Sequence, residues 1–345
     1  NGQSTPFLNT ANISNYNRVM LTNIDDIYID EKKRVWTAHY PDGITIIDKR
    51  YSGYHRIKGS TTGKLGLANG HVHSIIEDSE GNLWMGTSNG ISVFHEQEKL
   101  WHNMLQSKST EMEQLNSVFL TLCEVSPTEI WAGGYTSEIY SINKKTKAIK
   151  RLMPSKFTTK KIRREKYIRH IMKDSQGCIW IGGYYNLKCY NPTTQEFKHY
   201  PGISYIINMA ECDENNIWIG TAAGLLLLNR HSGEFQTIDL KVEMAQINSL
   251  YQASDGILYI GTNGSGLIEY DYNNGATTQY HKENSALVSN CINTILPEKN
   301  EKLMISTENG VTHFSTQKKT FKNWTKEQGL TPSSFNISSG IIRKN

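Results

Sequence analysis

Long apolar runs are missing from this chain of 345 residues. The longest, Leu225-Leu226-Leu227-Leu228, is only strand-length. A helix needs roughly 18–20 unbroken apolar residues to cross a bilayer. Membrane attachment is therefore expected only through segments outside this chain. No signal-peptide pattern stands at Asn1, and a mature chain would show none. A sustained 3.6-residue apolar period is also missing, which excludes a helical architecture. One turn of helix is expected at most, over 108–116. Cysteine is sparse. Cys123, Cys178, Cys189, Cys212 and Cys291 are odd in number and include no CxxC, which excludes a zinc ribbon or a disulfide framework. All five read as small buried hydrophobes. Charge of one sign is weak, at a formal +4, and no aromatic-lined basic groove is visible, so no nucleic-acid partner is expected. Nucleophile elbow, phosphate loop and HExxH are all absent, and no metal or cofactor is expected.

What is present is repetition. Hydrophobic residues make up 37% and aromatics 10% of the chain, enough for a large core and too many for disorder. The clearest unit runs from Ser74 to Phe94 and contains Asp78-Ser79-Glu80-Gly81-Asn82-Leu83-Trp84-Met85-Gly86-Thr87. A second contains Asp174-Ser175-Gln176-Gly177-Cys178-Ile179-Trp180-Ile181-Gly182. A third contains Asn216-Ile217-Trp218-Ile219-Gly220-Thr221. Val35-Trp36 and Ile130-Trp131-Ala132-Gly133 are partial copies, and Tyr259 and Met304 replace the tryptophan in two more. Successive anchors lie 48, 47, 49, 38, 41 and 45 residues apart. A period of about 40–50 residues is that of propeller blades.

Each copy has a physical parse. An apolar stretch such as Val72–Glu77 is a strand beside the axis. Asp-x-x-Gly makes a tight turn, glycine being free to take positive φ. Leu-Trp-Met-Gly-Thr is the second strand, Ser88-Asn89 a turn, and Ile91–Phe94 the third strand. A variable, polar fourth strand follows. The tryptophan fills the space between blades, and the glycine two residues later lets neighbouring sheets approach. The expected fold is an all-β, seven-bladed β-propeller of four-stranded antiparallel blades, with residues 1–345 as one propeller domain. Two readings stand for 325–345: an extra strand joining the ring, or the start of a further blade in a longer multi-blade region. The second is preferred.

The pattern I-x-E/D-D-x-x-G-x-L/I-W-x-G-T-x-x-G-L/I-x-x-F/Y resembles the two-component regulator propeller repeat. Residues Ile75–Phe94 match almost position for position, and Gly329-Leu330-Thr331-Pro332-Ser333-Ser334-Phe335-Asn336 is similar to a segment that opens the last sensor blade in that family. The resemblance implies the periplasmic sensor part of a hybrid two-component system, a sensor histidine kinase at full length. This chain would be one of two tandem propellers. The other propeller, a β-sandwich and the kinase would lie outside it. The resemblance also implies an oligosaccharide ligand and a homodimer formed through regions outside this chain.

Recognition is expected where the copies differ, at loops that converge on one face. Most turns after the second strand are small and polar. Three are not: His39-Tyr40-Pro41-Asp42, Tyr135-Thr136-Ser137 and Tyr184-Tyr185-Asn186. Tyrosine clusters suit sugar rings, which stack on aromatic faces while their hydroxyls take hydrogen bonds. Loop packing and protein contact remain alternatives. Approaches to the first strands add Asn69, His71, His73, Asn116, Tyr167, Arg169, His170, Asn208, Asn248, Asn290 and Asn293, which either line the channel mouth or bond to neighbouring blades and channel water. Candidate ligand contacts are Tyr40, His71, His73, Tyr135, Arg169, His170, Tyr184 and Tyr185. Lys160, Lys161, Arg163 and Arg164 form a basic lip suited to an anionic sugar; a solvated connector is the alternative.

No catalytic residue is assigned, and the fragment reads as a binder rather than an enzyme. The enzymatic alternative is a propeller lyase resembling the streptogramin-lyase type, or a glycan-cleaving propeller, with His71, His73 or His170 as base. A pure protein-interaction scaffold is the third reading.

Overall fold

The computed structural model describes residues 23–30, 35–40, 43–48, 53–57, 66–107, 117–136, 138–152, 167–243, 245–254, 256–299, 301–325 and 340–342. For 23–27, 35–57 and 340–342 the description is of the backbone path. The helical turn expected at 108–116 lies outside these residues. So does the basic lip at Lys160, Lys161, Arg163 and Arg164.

Six sheets are four-stranded antiparallel blades in which sequential strands pair. In the Trp84 blade they are Val72–Glu77, Leu83–Thr87, Gly90–His95 and Leu100–Met104. The Trp180 blade is Ile168–Lys173, Ile179–Gly183, Leu187–Asn191 and Glu196–Tyr200. The other four contain Trp131, Trp218, Tyr259 and Met304. The expected seven such blades are therefore corrected to six. The sheet that contains Trp36 has five strands and is mixed: Gly340–Ile342 pairs in parallel with Asn23–Ile29, ahead of Val35–Tyr40, Gly43–Asp48 and Gly53–Ile57. Gly340–Ile342 also touches the first strands of the Met304 and Trp84 blades. The last strand thus sits where first strands gather, in the manner of an extra strand joining the ring.

From the Trp36 sheet to the Met304 blade, the first strand of one packs against the first strand of the next, and Gly340–Ile342 lies against the Met304 first strand. The anchors are buried at the contacts, Trp84, Trp180 and Trp218 each at 1% exposure. Trp84 lies with Phe119, Leu122 and Ile130 of the following blade. The glycines are required by close approach. A Cβ on Gly182 would stand 2.5 Å from Ile206 Cγ2, and one on Gly220 2.6 Å from Ile247 Cγ2. Any larger residue would have to force the blades apart.

The tryptophans also donate hydrogen bonds. Trp84 Nε1 donates to Asp78 Oδ2 at 2.9 Å and Trp180 Nε1 to Asp174 Oδ2 at 2.7 Å. The other carboxylate oxygen caps the turn: Asp78 Oδ1 accepts from the Glu80 and Asn82 amides, and Asp174 Oδ1 from those of Gln176 and Cys178. One aspartate thus fixes both the turn and the blade anchor.

All five cysteines are free; Cys123 and Cys189 are buried and the other three half-buried. Cys189 stands opposite Trp180, as the hairpin register predicts.

Candidate functional site

The first strands share one irregularity. Val72 pairs with Thr87 and Ser74 with Gly86, which leaves His73 as an extra residue between two ladder positions. The same single-residue bulge recurs at Asp25, Leu120, Arg169, Ile207, Asn248 and Asn293. A bulge bends the strand and re-aims one side chain. Repeated round a ring, it presents one variable residue per blade near the channel mouth. His73, Leu120, Ile207, Asn248 and Asn293 are buried, while Arg169 is half-buried.

The residue after the bulge serves the ring itself. Thr121 Oγ1 accepts from the Ile171 amide at 3.0 Å, and Ser249 Oγ from the Ile295 amide at 3.0 Å. His170 occupies the same place: its Nδ1 accepts from the Met209 amide at 3.2 Å. Burial, helped by the Arg169 charge, lowers its pKa to about 4, so the imidazole is neutral and can accept. His170 acts here as a link between blades. Asn248 is likewise committed, with its Nδ2 donating to Ile292 O at 2.9 Å and its Oδ1 accepting from Gln246 Nε2 at 2.8 Å.

Above the bulges lies a continuous run of tyrosines. Tyr135 meets Tyr167 edge-on at 6.3 Å between ring centroids, and Tyr167 meets Tyr184 at 5.4 Å. Tyr184 in turn meets Tyr185 at 4.3 Å and Tyr205 at 4.5 Å. The Tyr184 and Tyr205 hydroxyls are 2.7 Å apart. Tyr205 holds a left-handed backbone, φ 56°. That conformation costs a bulky residue on the order of 1–3 kcal/mol and concentrates at functional sites. Here it is held by the Tyr205 amide donating to Tyr184 O at 2.9 Å and by the Ala222 amide donating to Tyr205 O at 3.1 Å. Tyr135 and Tyr205 remain exposed at 48% and 44%, so the run is open to solvent.

His71 and His73 sit together, ring centroids 4.3 Å apart, and His73 Nε2 is 2.9 Å from Ser88 Oγ. Burial lowers the His71 pKa to about 4. Burial chiefly, then the charges of His71 and Arg169, drives His73 well below its ordinary value. Both imidazoles are neutral at neutral pH.

Of the candidates read from sequence, the structure brings together Tyr135, Tyr184, Tyr185, Arg169, His71 and His73, and gives His170 a structural bond. Tyr40 ends the strand Val35–Tyr40, and its side chain lies outside the described residues. Tyr205 was missed, and Tyr167 was noted only as an approach residue. The signal was present: each directly precedes the first strand of its blade, as His71 does. Among the described residues no group of histidine, cysteine and acidic side chains could hold a metal ion.

The fold and its repeated blade define a β-propeller. Residues 66–89, 163–185 and 244–264 match the family model described as two component regulator propeller. The chain carries repeats of this family. No curated protein matches the sequence. Among solved structures, the chain is similar to the extracellular domain of the putative one component system BT4673 from B. thetaiotaomicron, with TM-score 0.65 and 18% identity over 85% of this chain and 38% of that one. It is also similar to the extracellular domain of the putative hybrid two component system BT3049 from B. thetaiotaomicron, with TM-score 0.53 and 17% identity over 91% of this chain and 47% of that one. The computationally designed Ika8 protein gives TM-score 0.60 at 11% identity, over 95% of this chain and 92% of its own. At these identities the likeness is one of fold. The chain spans less than half the length of either extracellular domain. Among the described residues no helix is long and apolar enough to cross a membrane.

Proposed function

We propose that this chain is a ligand-reading propeller in the extracytoplasmic sensor of a two-component system, and that it binds an oligosaccharide and signals to a kinase outside this chain. The tyrosine run carries the reading. Five tyrosines from three successive blades form one half-open surface, and one of them is held in a costly backbone conformation. Aromatic faces flanked by hydroxyls suit the alternating C–H and O–H surfaces of sugar rings. The family repeat and the extracellular relatives agree with this role. A location outside the cytoplasm and assembly with further sensor domains, including a second propeller, a β-sandwich and a second copy, belong to the same proposal.

Calorimetry against a panel of neutral and acidic oligosaccharides tests it. Saturable binding without product is expected, and the paired change Tyr184→Ala with Tyr185→Ala should weaken it more than tenfold. Chemical turnover of a panel member would replace the sensor reading by the lyase alternative. Failure of every glycan to bind would leave the protein-scaffold reading in its place.

A further inference from the structure

We propose that the bulged Arg169 holds an oxyanion of an acidic glycan, carboxylate or sulfate, at the channel mouth, with the sugar ring against Tyr167 and Tyr135. This rests on the oligosaccharide reading above and adds which part of the ligand enters the channel.

The strand Ile168–Lys173 commits the neighbours of Arg169 to the ring. Ile168 and Ile171 pack on Gly133 of the preceding blade. His170 bonds the following blade at Met209. Arg169 is the residue that the bulge removes from the ladder. The equivalent residues among the described side chains are His73, Leu120, Ile207, Asn248 and Asn293, so Arg169 supplies the one permanent charge of that described set.

Its charge also reaches His73. His73 belongs to the Trp84 blade, separated from the Trp180 blade by the whole Trp131 blade. As the bulged residue near the start of an innermost strand, Arg169 stands at the channel mouth, two residues from Tyr167, whose ring meets Tyr135 at 6.3 Å; both tyrosines favour its charge. Burial outweighs the favourable effect of both tyrosines on the cation. The Arg169 charge adds to burial, the larger cause, in lowering the pKa of His73 and His170. An oxyanion brought to the guanidinium there gains a charge-assisted hydrogen bond. The guanidinium fork matches the two oxygens of a carboxylate or sulfate, and the edge-on tyrosines beside it give a ring-sized wall.

The test uses three probes: trigalacturonate, a sulfated disaccharide and neutral galactotriose, by calorimetry on the whole chain. Both acidic probes, or one of them, should bind at least tenfold tighter than galactotriose, and the preferred probe tells carboxylate from sulfate. The preference should shrink as sodium chloride is raised. Arg169→Gln should abolish the preference, while Arg169→Lys keeps the charge, loses the fork and should retain part of it. Equal binding of acidic and neutral probes overturns the proposal while leaving the oligosaccharide reading intact, as does a preference unchanged in a folded Arg169→Gln variant. If Arg169→Gln fails to fold, the acid-to-neutral ratio of the parent and its salt dependence still decide. Absence of binding by all glycans overturns both readings.

Discussion

The two faces of the ring use their side chains differently. On the face of the Asp-x-x-Gly turns, blades repeat the same ionic clasp. Arg230 bonds Asp174 of the preceding blade at 3.0 Å and Glu211 of its own at 2.9 Å, and Glu211 accepts from Ser175. Lys144 does the same with Asp78 at 3.5 Å and Glu124 at 2.6 Å, and Glu124 accepts from Ser79. The basic residue follows an asparagine in both cases, Asn143 or Asn229. On the opposite face the threonine that closes the turn repeats, at Thr87, Thr221, Thr262 and Thr307, but the side chain on the bulge does not. The bulge recurs, while the residue on it changes from histidine to leucine, arginine, isoleucine or asparagine. Repeated side chains hold the blades together, and those on the bulges differ in size and charge from blade to blade.

Breaking the clasp should have the largest effect. Arg230→Ala leaves the buried Asp174 carboxylate without its cation, and a loss of about 3–5 kcal/mol is expected in urea unfolding. Glycan affinity per folded molecule should not change. A loss under about 1 kcal/mol would deny the clasp its role.

The tyrosine run predicts the reverse. Tyr184→Ala with Tyr185→Ala should cost more than tenfold in affinity with a small change in melting temperature. Equal losses on both measures would make the run ordinary packing.

His170 sharpens the contrast, because it stands on the varied face yet belongs to the ring. Its folded pKa, about 4, lies below its ordinary value of 6.5. Protons therefore bind the unfolded chain first as pH falls. The stability His170 contributes is full above pH 6.5 and is lost between there and about pH 4. His71 shifts in the same direction. Unfolding at pH 7.5 and pH 5 should show the decline, and His170→Ser should reduce it, since Ser249 makes the equivalent bond in another blade. An identical pH slope in that variant would show that other groups cause it.

The smallest effect is expected at Tyr205. Tyr205→Gly relieves the left-handed backbone, so stability should stay within about 1 kcal/mol of the parent. Affinity should still fall several-fold, because Tyr184 loses its ring and hydroxyl partner. Binding unchanged in this variant would place Tyr205 outside the site.

Sequence spacing alone located the blades, their turns and the anchors from Trp84 to Met304, because every copy must satisfy the same local geometry. It also pointed to Tyr135, Tyr184 and Tyr185, where turns depart from the small polar pattern. Cys189 opposite Trp180 followed from the register. The identity of the charged clasps was less legible: Asp174 lies on one repeat and Glu211 and Arg230 on the next, and only Asp174 belongs to the Asp-x-x-Gly motif.

What the chain determines by itself is a periodic pattern, since a strand, a tight turn and a buried aromatic are local demands written into each copy. The tertiary structure decided the rest. It turned seven anchors into six four-stranded blades and one mixed sheet, because Gly340–Ile342 finds a parallel partner some three hundred residues earlier. It gave His170 a bond to the next blade at Met209, and placed Arg169 on the bulge of an innermost strand. Such meetings occur only when the ring closes, and closure brings together residues that no local spacing relates.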